Sequence, residues 1–277
     1  MEDQIREIDR ADGAVLRVET AGDGSPVVLL HGTMAGRSAF AKLRSHLVDT
    51  HHLVLPVGRG HEGTPAVFPD DYSLDGTEVG DLEAVLDELD LAHVDIVGHS
   101  TGGAVGLAFA LTFPHRVRRL VMIEPTVLSR LPPAVTAEIR RASETTIAHA
   151  KRGDHRAAVA SVLEMMGGEG WTSLPAEAKD KTLDAMAPVA EIAGPHVQAL
   201  LDLSVTDQQI ADLSTPALLI YGESTTIFFE AHIAARFTEL RPDIEQVVVD
   251  GAGHNSQLER HEVVGPRIAA FLAASSS

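Results

Sequence analysis

Two hydrophobic periods alternate along most of the chain. Short apolar runs rich in β-branched residues recur at 27–30, 52–55, 94–97, 119–123, 215–221 and 245–249. They are too short for stable helices and predict buried strands. Between them, apolar residues return every three or four positions. Val79, Leu82, Val85, Leu86 and Leu89 share one face of a helix over 77–90, and Phe40, Leu43 and Leu47 share one over 38–47. The opposite face of 77–90 carries Glu78, Asp81, Glu83, Asp87 and Glu88, which reads as a solvated surface. Runs at 5–9 and 14–20 flank Asp12-Gly13 and predict a hairpin, giving eight strands in all. Strands alternating with helices require crossover connections and hence a mostly parallel sheet.

The rhythm changes at residue 128. After Leu131-Pro132-Pro133, helical patterns follow one another at 135–152, 155–166, 176–186 and 195–203 with no strand between them. This predicts a helical insertion. Further helices are expected at 228–240 and 262–273. The run 52–55 gives way at Pro56-Val57 to a loop dense in turn residues, Gly58-Arg59-Gly60-His61-Glu62-Gly63.

Composition narrows the function classes. Apolar residues make up 44% of 277, enough for one full core. A formal net charge of −18 repels nucleic acid and anionic membrane and suits a neutral, apolar small molecule. Cysteine is absent, which excludes disulfides, a thiol nucleophile and cysteine metal sites. No apolar run approaches the ~20 residues of a membrane span. Met1-Glu2-Asp3-Gln4 lacks the basic and apolar regions of a secretion signal, so a cytoplasmic location is expected.

The strongest chemical signal is Gly98-His99-Ser100-Thr101-Gly102. It follows the 94–97 run and opens a small-residue stretch to Phe113, so the context is strand, sharp turn, helix. Gly98 and Gly102 remove side chains that would clash there, and the helix directs its N-terminal amides at the turn. Ser100 is the candidate nucleophile. A serine hydroxyl needs a base, and His254, in Asp250-Gly251-Ala252-Gly253-His254 after the last strand, has a flexible turn to aim it. The remaining histidines, His51-His52 and His149 among them, read as surface positions, and no grouping has metal-ligand spacing.

The order of elements, the Ser100 elbow, His31-Gly32 after an early strand and Gly251-Ala252-Gly253-His254 near the end together resemble the α/β-hydrolase family over essentially the whole chain. The resemblance implies an α/β fold: a doubly wound, mostly parallel, eight-stranded sheet with a helical cap inserted after the sixth strand. The core would comprise 1–127 and 204–277, and the cap 128–203. It also implies an oxyanion hole formed by the backbone amides of Thr33 and Thr101.

One position departs from the family pattern. Most members carry an aspartate three residues past the glycine that ends the seventh strand. Here that stretch is Gly222-Glu223-Ser224-Thr225, so the place is taken by Thr225. Glu124, after the 119–123 run, is the preferred replacement. A minority of the family, including haloalkane dehalogenases and zearalenone lactonases, place the acid there, and Glu124-Pro125-Thr126 is similar to the lactonase stretch. Phe228-Phe229 and Gly167-Gly168-x-x-Trp171 have looser counterparts. Glu223 is the alternative acid.

The resulting expectation is a serine hydrolase of esters or lactones that uses no cofactor. Ser100 attacks, His254 serves as base and Glu124 orients it, with Gly32, Met34, Thr126 and Trp171 as substrate contacts. Trp171 and Met165-Met166 could line an acyl pocket or simply pack the cap. Two other classes stay open: a carbon–carbon bond hydrolase of the same fold, and a non-catalytic small-molecule sensor, which the missing aspartate at 225 allows. A homodimer is neither required nor excluded.

Overall fold

A computed structural model describes residues 4–225 and 230–274. Its strands are β1 (Gln4–Asp9), β2 (Val15–Ala21), β3 (Ser25–Leu30), β4 (His51–Val57), β5 (Val94–His99), β6 (Val117–Ile123), β7 (Ala217–Gly222) and β8 (Glu245–Val249). They form one eight-stranded sheet in the order β1-β2-β4-β3-β5-β6-β7-β8. β1 and β2 are antiparallel to their neighbours, and every pairing from β4 through β8 is parallel. The helices are α1 (Val79–Glu88), α2 (Thr101–Thr112), α3 (Pro133–Lys151), α4 (His155–Thr172), α5 (Ala176–Met186), α6 (Ala193–Asp202), α7 (Asp207–Ala211), α8 (Glu230–Leu240), α9 (Ser256–Glu259) and α10 (His261–Ala273).

Side chains alternate across a strand, so strands apolar at every position must be covered on both faces. Val28 and Leu30 of β3 point to one side, where they join Leu82, Leu86, Val105 and Phe109 of α1 and α2. Val27 and Leu29 point to the other, with Phe40, Leu43, Leu47 and the Val264, Ile268 and Leu272 face of α10. The connections leave β3 in opposite directions, to β4 on one side and β5 on the other. A crevice therefore opens at the carboxyl ends of β3 and β5, where ligands enter open sheets of this kind. No helix among the described residues is long and apolar enough to cross a membrane.

The structure corrects several expectations. Residues 38–47 form two 3₁₀ turns, Arg37–Phe40 and Leu43–His46, not one α-helix. Neither turn has a side-chain cap, and ion pairs of Arg37 with Glu19 and Glu62 and of Arg44 with Glu19 set its path. Phe40, Leu43 and Leu47 still reach the core. Pro56 and Val57 belong to β4, opposite Val18 and Arg17 of β2, although proline is usually kept out of paired strands.

The acidic face of α1 is not simply solvated. Asp81 is buried between Arg59, which it grips at 2.6 and 2.9 Å, and Arg10 at 2.9 Å. Arg59, 2% exposed, also donates to Asp12 at 2.5 Å and to the Val67 carbonyl at 2.8 Å. Glu78 precedes α1 in a π turn and accepts from the Tyr72 hydroxyl at 2.7 Å. Burial pushes its carboxyl up to about 7.

Candidate active site

Ser100 lies between the end of β5 and the start of α2 with φ 54° and ψ −120°, a conformation that costs a non-glycine residue on the order of 1–3 kcal/mol. The strain holds because both sides of the turn are packed. A Cβ on Gly102 would stand 2.1 Å from the Leu30 carbonyl oxygen, so only glycine lets α2 start against β3. The Ser100 amide donates to Ile123 at 2.9 Å, and its hydroxyl lies 3.2 Å from Thr126 Oγ1. Thr126 also donates its amide to the Ser100 carbonyl at 3.2 Å.

Glu124 is the second strained residue on this rim, with φ 50° directly after β6. Its side chain has no solvent exposure, and Oε2 lies 3.8 Å from His254 Nδ1. Oε1 accepts from the Gly222 amide at 2.5 Å and from the Thr225 hydroxyl at 3.1 Å. The residue at the usual acid position thus hydrogen-bonds the carboxylate that arrives from the neighbouring strand. Gly222 is tight on its other side as well, since a Cβ there would meet the Ala252 carbonyl oxygen at 2.3 Å. Glu223 faces elsewhere, accepting from the Gly251 amide at 3.1 Å.

His254 is tied to the elbow through its backbone. His99 Nε2–H, one residue before Ser100, donates to the His254 carbonyl at 2.8 Å, and the two rings lie 4.9 Å apart. Burial, then the neighbouring His254, lowers His99 to about 3, so its ring is neutral. Structure therefore brings Ser100, His254, Glu124 and Thr126 to the carboxyl edge of β5 and β6.

The Gly32-Thr33-Met34 turn follows β3 and faces the start of α2. Thr33 Oγ1 and Thr101 Oγ1 are 2.7 Å apart, and Thr33 Oγ1 is 3.1 Å from Nδ1 of His196 on α6. The Gly32 carbonyl accepts from His31 Nδ1–H at 2.9 Å. The Met34 amide donates to His61 Nε2 at 3.1 Å, so that amide is already committed. Among the described residues, the Thr33 and Thr101 amides donate to no protein group. A cavity of about 60 Å³ lies beside this turn, lined by Leu30, His31, Glu78, Thr101, Gly102 and His196 among others. Trp171 is not among its lining residues; Lys179 Nζ covers its ring at 5.9 Å. Met165 and Met166 pack against the core. Phe228-Phe229 lie outside the described residues. Among those residues, no group of three or more His, Asp or Glu side chains is arranged to hold a metal ion.

The sequence profile of the alpha/beta hydrolase family matches residues 27–265. The chain belongs to the alpha/beta hydrolase family. Among its relatives, the 2-hydroxy-6-oxo-2,4-heptadienoate hydrolase of Pseudomonas putida is 41% identical over 118 residues, 41% of this chain and 42% of that one. The match therefore spans less than half of the relative's length. A cis-3-alkyl-4-alkyloxetan-2-one decarboxylase of Xanthomonas campestris is 27% identical over 280 residues, 92% of this chain and 90% of that one. A hydrolase from Pseudomonas aeruginosa has the same fold, with TM-score 0.81 over 98% of this chain and 99% of that one at 21% identity.

Several residues around the candidate site escape the sequence pattern. Far from lying on the surface, His61, His99 and His196 are buried, as is His51. His61 donates Nδ1–H to the Arg59 carbonyl at 3.1 Å, and burial followed by the His31 and His196 rings lowers it to about 2. Gly60, at φ 74°, marks the turn that folds His61 inward and was the available signal. No local signal marks His196, because its partner Thr33 is 163 positions away. Thr225 was visible only as a departure from the family pattern.

Proposed function

We propose that this protein is a serine hydrolase that cleaves a carboxylic ester or lactone of a neutral, largely apolar small molecule through an acyl-enzyme. Ser100 Oγ turns from Thr126 to His254 Nε2, gives up its proton and attacks the carbonyl carbon. The Thr33 and Thr101 amides hold the oxyanion of the tetrahedral intermediate. His254 then protonates the leaving alkoxide as the carbon–oxygen bond breaks. Water, deprotonated by His254, attacks the acyl group and returns Ser100. Glu124 keeps the His254 proton on Nδ1 and supports the imidazolium. Helices α3–α6, within the cap 128–203, cover the substrate, and 1–127 with 204–277 form the core.

The observation that carries this reading is the buried Glu124 carboxylate, fixed by Gly222 and Thr225 and 3.8 Å from His254 Nδ1. Distances of this kind commonly shorten when substrate arrives. A neutral substrate is what the formal net charge of −18 favours, since a strongly anionic one would be repelled. A fluorophosphonate probe tests the reading. Labelling at Ser100 that is lost in Ser100→Ala and strongly slowed in His254→Ala supports it, and a folded, unlabelled protein refutes it.

The kinship with the P. putida enzyme favours a second reading, hydrolysis of a carbon–carbon bond beside a ketone by the same residues. Turnover of a 2-hydroxy-6-oxodienoate exceeding that of p-nitrophenyl esters and γ-lactones would select it.

A further inference from the structure

The turn bearing Thr33 is gripped from two sides. From the core, His61 accepts the Met34 amide and donates to the Arg59 carbonyl, each at 3.1 Å, so its tautomer and position are fixed. Met34 itself sits at φ 62°, so the turn is not one the chain adopts freely. From above, His196 on α6 brings Nδ1 to 3.1 Å from Thr33 Oγ1, which continues to Thr101 Oγ1 at 2.7 Å.

The His196 ring is 4% exposed. It stacks on Tyr72 at 5.8 Å and 24°, with Phe68 edge-on at 6.1 Å and His61 at 5.7 Å. Burial, then the nearby His31, lowers it to about 3, which leaves it neutral. Its Nε2 is buried without a hydrogen-bond partner. Burying a polar ring so incompletely satisfied is unfavourable, and the Nδ1 contact to Thr33 is the polar bond that orients it.

We infer that His196 is a positioning residue: through the Thr33–Thr101 hydroxyl pair it sets the spacing of the two backbone amides that receive the oxyanion, so that this receptor is complete only while α6 is seated on the core. The inference rests on the serine-hydrolase reading for the role of those amides. The geometry it invokes, a helix from the insertion holding the turn after β3, can be measured without turnover. Misplacing a catalytic group by ~1 Å can cost about 100-fold in rate, so a clasp that acts only on placement has a measurable effect.

The test compares His196→Ala, His196→Asn, Thr33→Val and the Ala/Val double variant. Asparagine keeps a polar atom one bond from Cγ, where Nδ1 stands, and it removes Nε2. Amide hydrogen exchange over residues 31–37 reads the turn directly. The rate of fluorophosphonate labelling and the kcat and KM for p-nitrophenyl acetate read the amides. His196→Ala and Thr33→Val should each speed exchange in that segment and lower kcat about 10- to 100-fold with KM little changed. His196→Asn should restore both, and the double variant should be no slower than either single one, because both break the same link. Unchanged exchange in His196→Ala, no rescue by asparagine, or multiplicative losses in the double variant would each overturn it. If the wild-type protein takes up no probe, the acyl-transfer reading fails, while exchange over 31–37 still decides whether His196 holds the turn.

Discussion

Replacing Glu124 by glutamine probes the acid with almost no change of shape. The glutamine carbonyl can still accept from Gly222 and Thr225, which lie 2.5 and 3.1 Å from the present Oε1. Its amide group then faces His254 Nδ1 where Oε2 now stands at 3.8 Å. An amide N–H there favours a histidine that accepts at Nδ1 and carries its proton on Nε2. That is the wrong tautomer for taking a proton from Ser100. It also withdraws the negative charge that supports the imidazolium. A comparable loss in a serine triad lowers kcat ~10⁴-fold, so a fall of about 10³- to 10⁴-fold is expected, or roughly 4–5.5 kcal/mol in the barrier. Glu223→Gln, whose carboxylate meets only an exposed backbone amide at 3.1 Å, should change kcat less than about tenfold. Thr225→Val removes one of two hydrogen bonds to Oε1 and should fall between them. The assay is single-turnover acylation with a p-nitrophenyl ester, alongside the thermal midpoint of each variant. A Glu124→Gln enzyme within tenfold of wild type, or a larger loss in Glu223→Gln, would refute the assignment.

Three further outcomes follow from the same geometry. His61, His99 and His196 have folded-state pKa values of about 2, 3 and 3, below the ordinary 6.5. Their contribution to stability is therefore present above pH 6.5 and lost as pH falls toward 3. At pH 5 each favours the unfolded chain by about 2 kcal/mol, enough together to unfold a domain of ordinary stability near pH 4–5; circular dichroism that stays native to pH 3 would contradict this. Glu78 behaves in the opposite sense: its stability contribution is present below pH 4.5 and lost as pH rises through about 7. Glu78→Gln should therefore gain about 3 kcal/mol over wild type at pH 8 and almost nothing at pH 4.5 by denaturant titration. Gly222→Ala would drive a Cβ to 2.3 Å from the Ala252 oxygen, so the β7 end and the His254 loop must separate. Loss of fluorophosphonate labelling by more than about 100-fold in a protein that still folds is expected.

The alternation of strand and helix periods was enough to read the eight strands, because parallel strands covered on both sides have little choice but to be apolar throughout. Ser100 was legible for a related reason: its strained turn needs small neighbours, and Gly98 and Gly102 mark it locally. What could not be read depends on long-range closure. Glu78 and Asp81 occupy the polar face of a helical pattern, and nothing nearby shows that Tyr72, Arg10 and Arg59 will cover them. The 38–47 segment has a helical period but takes its course from ion pairs to Glu19 and Glu62. His196 looks like any helical histidine until α6 meets the turn after β3. Thr225 is the instructive intermediate, since the sequence exposed a missing acid but not that the replacement would hydrogen-bond its substitute.

The Arg59 knot limits where the molecule can be cut or rewired. Its guanidinium is sealed inside, and one of its two carboxylate partners, Asp12, comes from the tight bend between the first two strands. Trimming the start of the chain past that bend would remove Asp12 and Arg10 together, leaving Arg59 and Asp81 as a lone buried pair with fewer hydrogen bonds to offset its desolvation. The leading hairpin is at the margin of the sheet in space, yet it is electrostatically part of the interior. New termini and fusion partners are better tolerated at its outer strand, whose side chains largely face water.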